Sequence, residues 1–338
     1  MRTFAVLSLL GLLSAFSSVG CSAEQVGGEE EPSDLEESYG ELSLPEPTGN
    51  AAQYPIVLAH GFNGSPSNQW GYYKVADALR KDGHKVFEAA VAPYNSADVR
   101  AIDLKKVVDQ ALQSASKVNI VAHSMGGLDA RVLISKLGYG DRVASLTTIS
   151  TPHQGTLIGD VALKLVKDGP ISNALNTVAA AWGRTFTEDE LANNTAVRGA
   201  LLSIAERSAE EFNARNKDDA RVYYQSWAGV SARLGIGDSD DKRACDGKLE
   251  GSTDVMDVSL RAGSIVVSHR FGFQGSFKPN DGMVTVESAK HGHFRGCLRA
   301  DHLDEVGQPK HDKPNRRTQF DHLHFFRTLA FELADKRF

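Results

Sequence analysis

The chain has 338 residues, of which 41% are apolar and 24% are charged, and its formal net charge is −6. This composition suits one large globular domain with a substantial core. Nine acidic residues and no Lys or Arg lie between positions 22 and 50, so the rest of the chain is close to neutral. That balance indicates neither a nucleic-acid partner nor an acidic surface. Beyond the N-terminus, no apolar run approaches the roughly 20 residues that a membrane span needs.

The N-terminus has the features of an export signal. Met-Arg-Thr precedes an apolar stretch at 4–16, and small residues stand directly before Cys21. This pattern predicts a signal peptide over 1–20. It is similar to a bacterial lipoprotein signal and predicts lipidation of Cys21, although Ser18 stands where Leu is more usual. We therefore expect an exported protein, either an outer-membrane or cell-surface lipoprotein or an ordinary secreted protein.

Residues 21–50 are rich in Glu, contain Gly and Pro, and have few large apolar side chains. Such a segment cannot bury enough surface to fold, which predicts a disordered acidic tether before a folded domain at 51–338. The remaining cysteines are Cys245 and Cys297. In an exported chain they predict one disulfide, with two free buried thiols as the alternative.

The first half of the domain alternates between strand and helix patterns. The patterns predict strands at 54–60, 85–91, 118–122 and 143–149, and helices at 70–81, 97–115 and 125–137. This alternation indicates an α/β fold with a mostly parallel sheet. Functional sites in such sheets gather beyond the carboxyl ends of the strands.

From about residue 157 to residue 214 the alternation stops and helical patterns replace it, including 158–166 and 171–182. An insertion of this kind predicts a helical lid, and extra core helices are the alternative. A strand pattern returns at 222–230, and 325–333 fits a closing helix.

Ser124 lies where the strand Val-Asn-Ile-Val-Ala-His runs into Ser-Met-Gly-Gly. Ala122 and Gly126 flank it at −2 and +2, where small side chains let a strand and a helix approach closely. This is the nucleophile-elbow pattern, with Ala at its first position. An ordinary serine in a strand-to-helix turn is the alternative, so the interpretation depends on finding catalytic partners.

A serine nucleophile needs a base and an orienting acid, which follow it in the order acid and then histidine. The candidate acid is Asp281, which precedes a glycine, and the candidate base is His302. Five other histidines compete for that role, namely His291, His293, His311, His322 and His324. The expected oxyanion donors are the N–H groups of Met125 and Phe62, and we expect His60 to fix the loop before Phe62.

Several segments together resemble the true lipases of Pseudomonas and Burkholderia. They are Tyr-Pro-Ile-Val-Leu-Ala-His-Gly-Phe, Val-Ala-His-Ser-Met-Gly-Gly, Ile-Ser-Thr-Pro-His-Gln-Gly, Phe-Asn-Ala-Arg, Asn-Asp-Gly-Met-Val and His-Leu-Asp-Glu-Val. The similarity spans about 54–312. It implies an α/β-hydrolase fold and the hydrolysis of lipid esters. It also implies the same catalytic residues, namely Ser124, Asp281 and His302.

The same resemblance implies a structural calcium ion beside the catalytic histidine. Asp304 and Asp254 match its carboxylate ligands, with Asp257 competing for the second place, and the carbonyls of Gln308 and Asp312 match the others. Oxygen-only ligation suits calcium. The family has a cis peptide after the matching glutamine, and here the next residue is a proline, for which a cis bond costs little.

The chain departs from the family in two places. The family disulfide reaches a cysteine shortly after the catalytic Asp, whereas Cys297 lies nearer His302, and the segment 231–250 is unlike its counterpart. The resemblance predicts a triacylglycerol lipase that works through an acyl-enzyme on lipid at an interface. The alternatives are a carboxylesterase for short soluble esters and a non-catalytic surface lipoprotein. Polyester depolymerase and acyltransferase activities are more remote possibilities.

Overall fold

The computed structural model describes residues 45–62, 64, 71–163, 194–237, 239–249, 252–268 and 278–338. The predicted signal peptide, Cys21, most of the predicted tether and the predicted helix 171–182 lie outside these residues. Within the described ranges, no helix has both the length and the apolar character needed to cross a bilayer.

The central sheet contains six parallel strands in the order β2-β1-β3-β4-β5-β8. Their bounds are β1 Ile56–Ala59, β2 Val86–Glu88, β3 Val118–His123, β4 Val143–Ile149, β5 Tyr223–Gly229 and β8 His293–Leu298. A two-stranded parallel sheet joins β6 (Ser231–Ala232) to β7 (Asp254–Val255). The expected parallel α/β architecture is therefore confirmed.

Ten α-helices are described. They are α1 Val75–Lys81, α2 Ala97–Ala111, α3 Gly126–Ser135, α4 Leu157–Ala162, α5 Thr195–Ile204, α6 Glu206–Arg215, α7 Ser239–Ala244, α8 Arg261–Ser268, α9 Val286–Ala289 and α10 His322–Asp335. The side chain of Ser96 caps α2, and that of Asp321 caps α10. Such capping oxygens satisfy backbone N–H groups that have no partner inside the helix.

The sheet is covered on both faces, so its central strands are continuous apolar runs rather than alternating ones. Alternate residues of β1 and β3, such as Val57 and Ile120, pack with α2 and α3 in one cluster. Their neighbours Ile56 and Val121 point to the opposite face and pack with α1 and α10. Because all six strands are parallel, their carboxyl ends lie together at one edge of this sheet.

The lengths of several elements differ from the sequence predictions. The strand Val143–Ile149 has its predicted bounds, whereas α1 begins at Val75 and not at residue 70. Lys74 precedes α1 in the left-handed conformation, with a φ of 57°, so the regular helix starts only after it. The sixth strand, β8, was not predicted from the sequence.

The compact body begins before the boundary predicted between tether and domain at residue 50. Among the described residues, the compact unit extends from Pro45 to Phe338. Glu46 pairs with Arg327 of α10, and the Pro45 carbonyl accepts from the ring of His324. Residues 45–50 therefore lie along the last helix and belong to the folded body.

In the predicted lid region, the described parts are helical, namely α4, α5 and α6. Leu163 after α4 and Leu201 of α5 pack in one cluster with Met125 and Leu128, at the start of α3. The predicted disulfide is confirmed, because Cys245 and Cys297 are bonded. It joins the segment after α7 to strand β8.

Candidate active site

Ser124 directly follows β3 and has a φ of 56°, a left-handed conformation that non-glycine residues rarely adopt. Its N–H donates to the carbonyl of Ile149, so β4 holds the turn. A Cβ at Gly126 would lie 2.4 Å from the Ala59 carbonyl oxygen, and one at Gly61 would lie 2.6 Å from the Cβ of Ser124. Only glycine allows these approaches, and together they hold the hydroxyl at the apex of a tight turn.

The structure brings Ser124, His302 and Asp281 into one hydrogen-bonded chain. The Nε2 atom of His302 lies 2.9 Å from the Oγ atom of Ser124, and its Nδ1 atom lies 2.7 Å from Oδ2 of Asp281. His302 is 4% exposed and Asp281 is fully buried. This is the geometry in which an imidazole can take a proton from a serine while a carboxylate fixes its tautomer.

A tight turn positions the carboxylate of Asp281. Its Oδ1 atom accepts from the backbone N–H groups of Met283 and Val284, at 2.8 Å and 2.7 Å. The N–H of His302 donates to the Asp281 carbonyl. Both oxygens of this buried carboxylate therefore have hydrogen-bond partners, as buried polar atoms require.

Behind the triad lies a second buried acid, Glu305. Its Oε1 atom accepts from the Ser150 hydroxyl at 2.6 Å, and its Oε2 atom lies 3.0 Å from Nε2 of His123. Burial, and then the nearby Asp281, raise the pKa of Glu305 well above its usual range. Burial lowers the pKa of His123 well below its usual range, so burial favours the uncharged form of both side chains. The His123 ring packs against His302, with 4.5 Å between centroids.

The competing histidines have other partners. His291 pairs with Asp218, His293 stacks on Tyr223, His311 approaches Asp304, and His322 and His324 meet the carbonyls of Tyr73 and Pro45. In the described structure, His302 is the histidine whose ring meets the Oγ atom of Ser124.

The loop after β1 carries the first predicted oxyanion donor, Phe62, whose ring meets Tyr94 edge-on. The preceding residue, Gly61, contacts Ser124. The Nη2 atom of Arg100 donates to the carbonyls of His60 and Gly61, at 2.9 Å and 3.2 Å. The second predicted donor, Met125, follows the nucleophile and is fully buried.

Three carboxylates converge in the segments next to His302. Asp254, Asp301 and Asp304 each offer an oxygen, and these atoms lie within 4.8 Å of one another. Burial and the neighbouring carboxylates raise the pKa of Asp304 to about 9. Such crowding of negative charge is unfavourable unless protons or a cation compensate it. The donors are all oxygens, as calcium requires.

The other predicted ligands have different surroundings. The carboxylate of Asp257 accepts from the N–H of Ser259. Of the two competing residues, Asp254 is the one whose carboxylate joins Asp301 and Asp304. The side chain of Asp312 is exposed and pairs with Lys74. The Gln308–Pro309 peptide is cis.

Sequence reasoning missed two buried residues of this site, Asp301 and Arg100. Asp301 stands next to His302 in an acidic run, which is a weak signal for a third carboxylate. Arg100 lies in an amphipathic helix, where an arginine is usually solvated, and no local pattern marks its burial.

A family model described as the alpha/beta hydrolase fold matches residues 54–232. The match covers more than half of the chain, and the protein belongs to this family of hydrolase-fold proteins. Ser124 lies inside the matched range, whereas Asp281 and His302 follow it.

Several curated relatives are triacylglycerol lipases. The chain is 26% identical over 294 residues to that of Burkholderia plantarii, with 76% of this chain and 80% of the relative covered. It is 27% identical over 282 residues to that of Vibrio cholerae, with 75% and 80% covered. It is 26% identical over 294 residues to that of Pseudarthrobacter phenanthrenivorans, with 76% and 90% covered.

Solved structures show the same fold. The lipase of Staphylococcus hyicus aligns with a TM-score of 0.55 at 20% identity, covering 86% of this chain and 97% of that one. A metagenomic carboxyl esterase aligns with a TM-score of 0.59 at 16% identity, covering 86% and 78%. At these identities the likeness concerns the fold alone.

Proposed function

We propose that this protein is a triacylglycerol lipase that cleaves lipid esters with Ser124 as its nucleophile. The observation that carries the proposal is the continuous hydrogen-bonded chain from Ser124 through His302 to Asp281. The named relatives, which match about three quarters of the chain, support the substrate class.

In the first half of the reaction, Oγ of Ser124 attacks the ester carbonyl carbon while Nε2 of His302 takes the hydroxyl proton. The developing oxyanion is stabilised by the N–H groups of Phe62 and Met125. Asp281 stabilises the imidazolium that forms. The carbon–oxygen bond to the alcohol then breaks, His302 gives its proton to the leaving alkoxide, and the acyl group stays on the serine.

The second half repeats these steps with water. His302 takes a proton from the water molecule, whose oxygen attacks the acyl-enzyme carbonyl. The ester bond to Ser124 breaks, the proton returns to Oγ, and a fatty acid leaves. Burial favours the uncharged forms of Glu305 and His123, which lie behind this proton transfer.

Release of p-nitrophenol from C4, C8 and C16 esters tests the proposal. Wild type is expected to turn over all three, and Ser124→Ala should lose at least about 10⁴-fold in kcat. The matched control is Ser114→Ala, at a serine just beyond α2. Serine-independent turnover, or none on any ester, would overturn the enzyme assignment. Activity confined to C4 would favour a carboxylesterase.

We also propose that the carboxylate cluster holds a structural calcium ion. Asp254, Asp301 and Asp304 would supply oxygen ligands, and the backbone near the cis Gln308–Pro309 peptide could supply others. The bound ion would compensate the converging negative charge and tie the loop that carries His302. It is assigned no part in the acyl-transfer steps.

Calcium binding is measured by thermal unfolding with calcium and with a chelator. We expect chelation to lower the unfolding temperature of wild type, because an ion that binds only the native state stabilises it. Asp304→Asn should lose most of this response. Asp257→Asn, whose carboxylate lies outside the cluster, should keep it. Equal melting of wild type with calcium and with chelator would remove the site.

We further propose that the protein is exported and that Cys21 carries a lipid anchor. The disulfide between Cys245 and Cys297 supports export, because such bonds persist in oxidising compartments. Mass spectrometry of the mature N-terminus tests the anchor. An acylated Cys21 in wild type and a soluble product from Cys21→Ser are expected, whereas an unmodified N-terminus would indicate ordinary secretion.

A non-catalytic lipoprotein remains the alternative from a different class. Such a protein would release no product, and the Ser124→Ala variant would bind lipid as well as the wild type does. The ester assay separates the two.

A further inference from the structure

The most exposed large aliphatic side chains of the described structure are gathered on two neighbouring segments. Leu234 is 74% exposed, Ile236 is 76% exposed and Val258 is 74% exposed. Val255 is 42% exposed, and its Cγ2 atom lies 2.6 Å from where a Cβ at Gly235, the residue between Leu234 and Ile236, would stand. We call these four side chains the aliphatic patch.

The fold holds the patch in place. β6 and β7 pair at Ala232 and Val255, and the Gly235 N–H donates to the Ala232 carbonyl to close the turn. On the second segment, Met256 and Leu260 are buried in the core on either side of Val258. Buried neighbours therefore hold the patch side chains in a position exposed to solvent. An exposed group of apolar side chains usually marks an interaction site.

Cationic side chains lie around the patch. The Nη2 atom of Arg317 donates to the Gly235 carbonyl at 2.6 Å, and Nε of Arg261 donates to the Met256 carbonyl at 3.0 Å. A cleft of about 500 Å³ beside the turn is lined by Leu234, Ile236, Arg233, Arg261, Lys278 and one acid, Asp241. Among the other acids nearby, Asp257 is engaged in capping Ser259.

The patch shares its base with the catalytic machinery. A Cβ at Gly282, the residue after the catalytic acid, would lie 2.7 Å from Leu260 Cβ and 3.3 Å from the Sδ atom of Met256. One layer of side chains therefore separates the patch from the turn that carries Asp281. The patch and the Asp281 turn both come after β5 in the chain, and ligand sites in parallel sheets lie beyond the carboxyl ends of the strands.

We propose that the aliphatic patch docks the enzyme on a lipid surface that carries anionic headgroups. Leu234, Ile236 and Val258 would enter the boundary between headgroups and acyl chains, while Arg261 and Arg317 would face the anions. Protruding aliphatic residues beside guanidinium groups are the chemistry that interfacial binding uses. The inference rests on the proposed lipase function, for which a lipid surface carries the substrate.

The test separates docking from catalysis by using Ser124→Ala protein that begins at residue 22 and so lacks the leader and any acyl anchor. Flotation is measured with vesicles of phosphatidylcholine alone and with phosphatidylglycerol added. We expect binding that is stronger on the anionic vesicles and weakens with salt. The triple variant Leu234→Ser/Ile236→Ser/Val258→Ser should bind at least about tenfold more weakly.

The matched control is Val99→Ser/Ile102→Ser, which removes two exposed aliphatic side chains from α2 and should leave vesicle binding unchanged. With Ser124 restored, the triple variant should keep wild-type turnover of a soluble C4 ester, which shows that it is folded. If it does not fold, Leu234→Ser at the turn replaces it.

Unchanged vesicle binding in the folded patch variant would overturn the proposal. A parent that is dimeric in light scattering and a patch variant that is monomeric, with vesicle binding unaltered, would assign the patch to a second copy instead. Failure of the lipase function itself would appear differently, as absent ester hydrolysis in an enzyme that still floats with vesicles.

Discussion

Arg100 is the largest side chain that the described structure encloses completely. Its Nε atom pairs with Asp129 at 2.8 Å, and its other nitrogens donate to the carbonyls of Ala92, His60 and Gly61. A buried guanidinium is tolerated only when its donors and charge are satisfied. Here the same bonds fix the backbone immediately before the proposed oxyanion donor, so Arg100 acts as a positioning residue.

Two variants separate the structural role of Arg100 from its role in positioning. Arg100→Met leaves Asp129 buried without its partner and should cost about 3–5 kcal/mol of unfolding free energy. Arg100→Met/Asp129→Leu should recover most of that stability. Because the carbonyls of His60 and Gly61 still lack their donor, kcat should stay at least about tenfold below wild type in both.

The measurements are chemical denaturation and kcat on a soluble C4 ester. Wild-type kcat in the stable double variant would show that Arg100 contributes stability alone.

At the residue scale, site residues that stand in a local sequence motif could be predicted, and those outside any motif could not. Ser124 and Asp281 stand in short patterns whose backbone geometry depends on adjacent glycines. His302 had five rivals by spacing alone, and the family resemblance selected it. Arg100 and Asp301 gain their roles from partners that the fold brings close, and no neighbouring residue signals this.

Among the secondary structure elements, α3 and β1 approach each other closely at the site. The first helical residue, Gly126, lies so near the Ala59 carbonyl that a Cβ would stand 2.4 Å away. The obstruction would be backbone, which cannot rotate aside as a side chain can. The approach allows the start of α3 to face the loop that carries Phe62.

Gly126→Ala should therefore displace α3 from β1 and lower kcat on a C4 ester by at least about 100-fold, with an unfolding cost of about 2–4 kcal/mol. Gly83→Ala is the control. Gly83 has a φ of 91° and no atom near an added Cβ, so the substitution strains the backbone without a clash. It should cost about 1 kcal/mol and leave kcat unchanged. Equal effects of the two on kcat would contradict a role for close packing.

The predicted bounds of the elements were most accurate where a strand is buried along its whole length. β4 lies in the middle of the sheet and is buried throughout, so its bounds could be read from the sequence. β8 lies at the edge of the sheet, and His293 and Arg295 interrupt its apolar pattern. Its pairing depends on β5, which is distant in the sequence, and local periodicity could not find it.

At the scale of the whole molecule, buried histidines couple stability to pH. Burial and Arg100 lower the pKa of His60 to about 4, and burial lowers the pKa of His153 well below its usual value. In the unfolded chain both have a pKa near 6.5. Between these values the unfolded state binds protons that the folded state does not, so stability falls as pH falls.

Each such histidine is expected to lower the unfolding free energy as pH falls from about 6.5 to about 4, by up to about 1.4 kcal/mol per pH unit, whereas buried acids with a raised pKa, such as Glu305, act in the opposite direction. Chemical denaturation at several pH values, with excess calcium throughout, measures this slope. His153→Gln should make it shallower by removing one contribution. A slope as steep in the variant as in wild type would show that His153 does not contribute.

The sequence indicated the overall architecture because alternating strands and helices leave few ways to build a sheet. The start of the folded body could not be read in the same way. Residues 45–50 look like the acidic stretch before them, and only the partners on α10, such as Arg327, include them in the fold. Composition indicates whether a segment can form a hydrophobic core of its own. It does not indicate whether the segment will pair with side chains of another element.

The disulfide spans an exposed turn, so we expect it to hold together a chain that is cut there. Cys245 and Cys297 are 52 positions apart, and the exposed turn at Val258 and Ser259 lies between them. A protease that cuts this turn would produce two fragments, the first carrying Ser124 and the second carrying both of its catalytic partners. The bond keeps them covalently linked, so we expect one band without reductant and two bands with it, while ester hydrolysis persists in the nicked protein. The bond would in this way keep Ser124 in one molecule with Asp281 and His302 after the chain is cut.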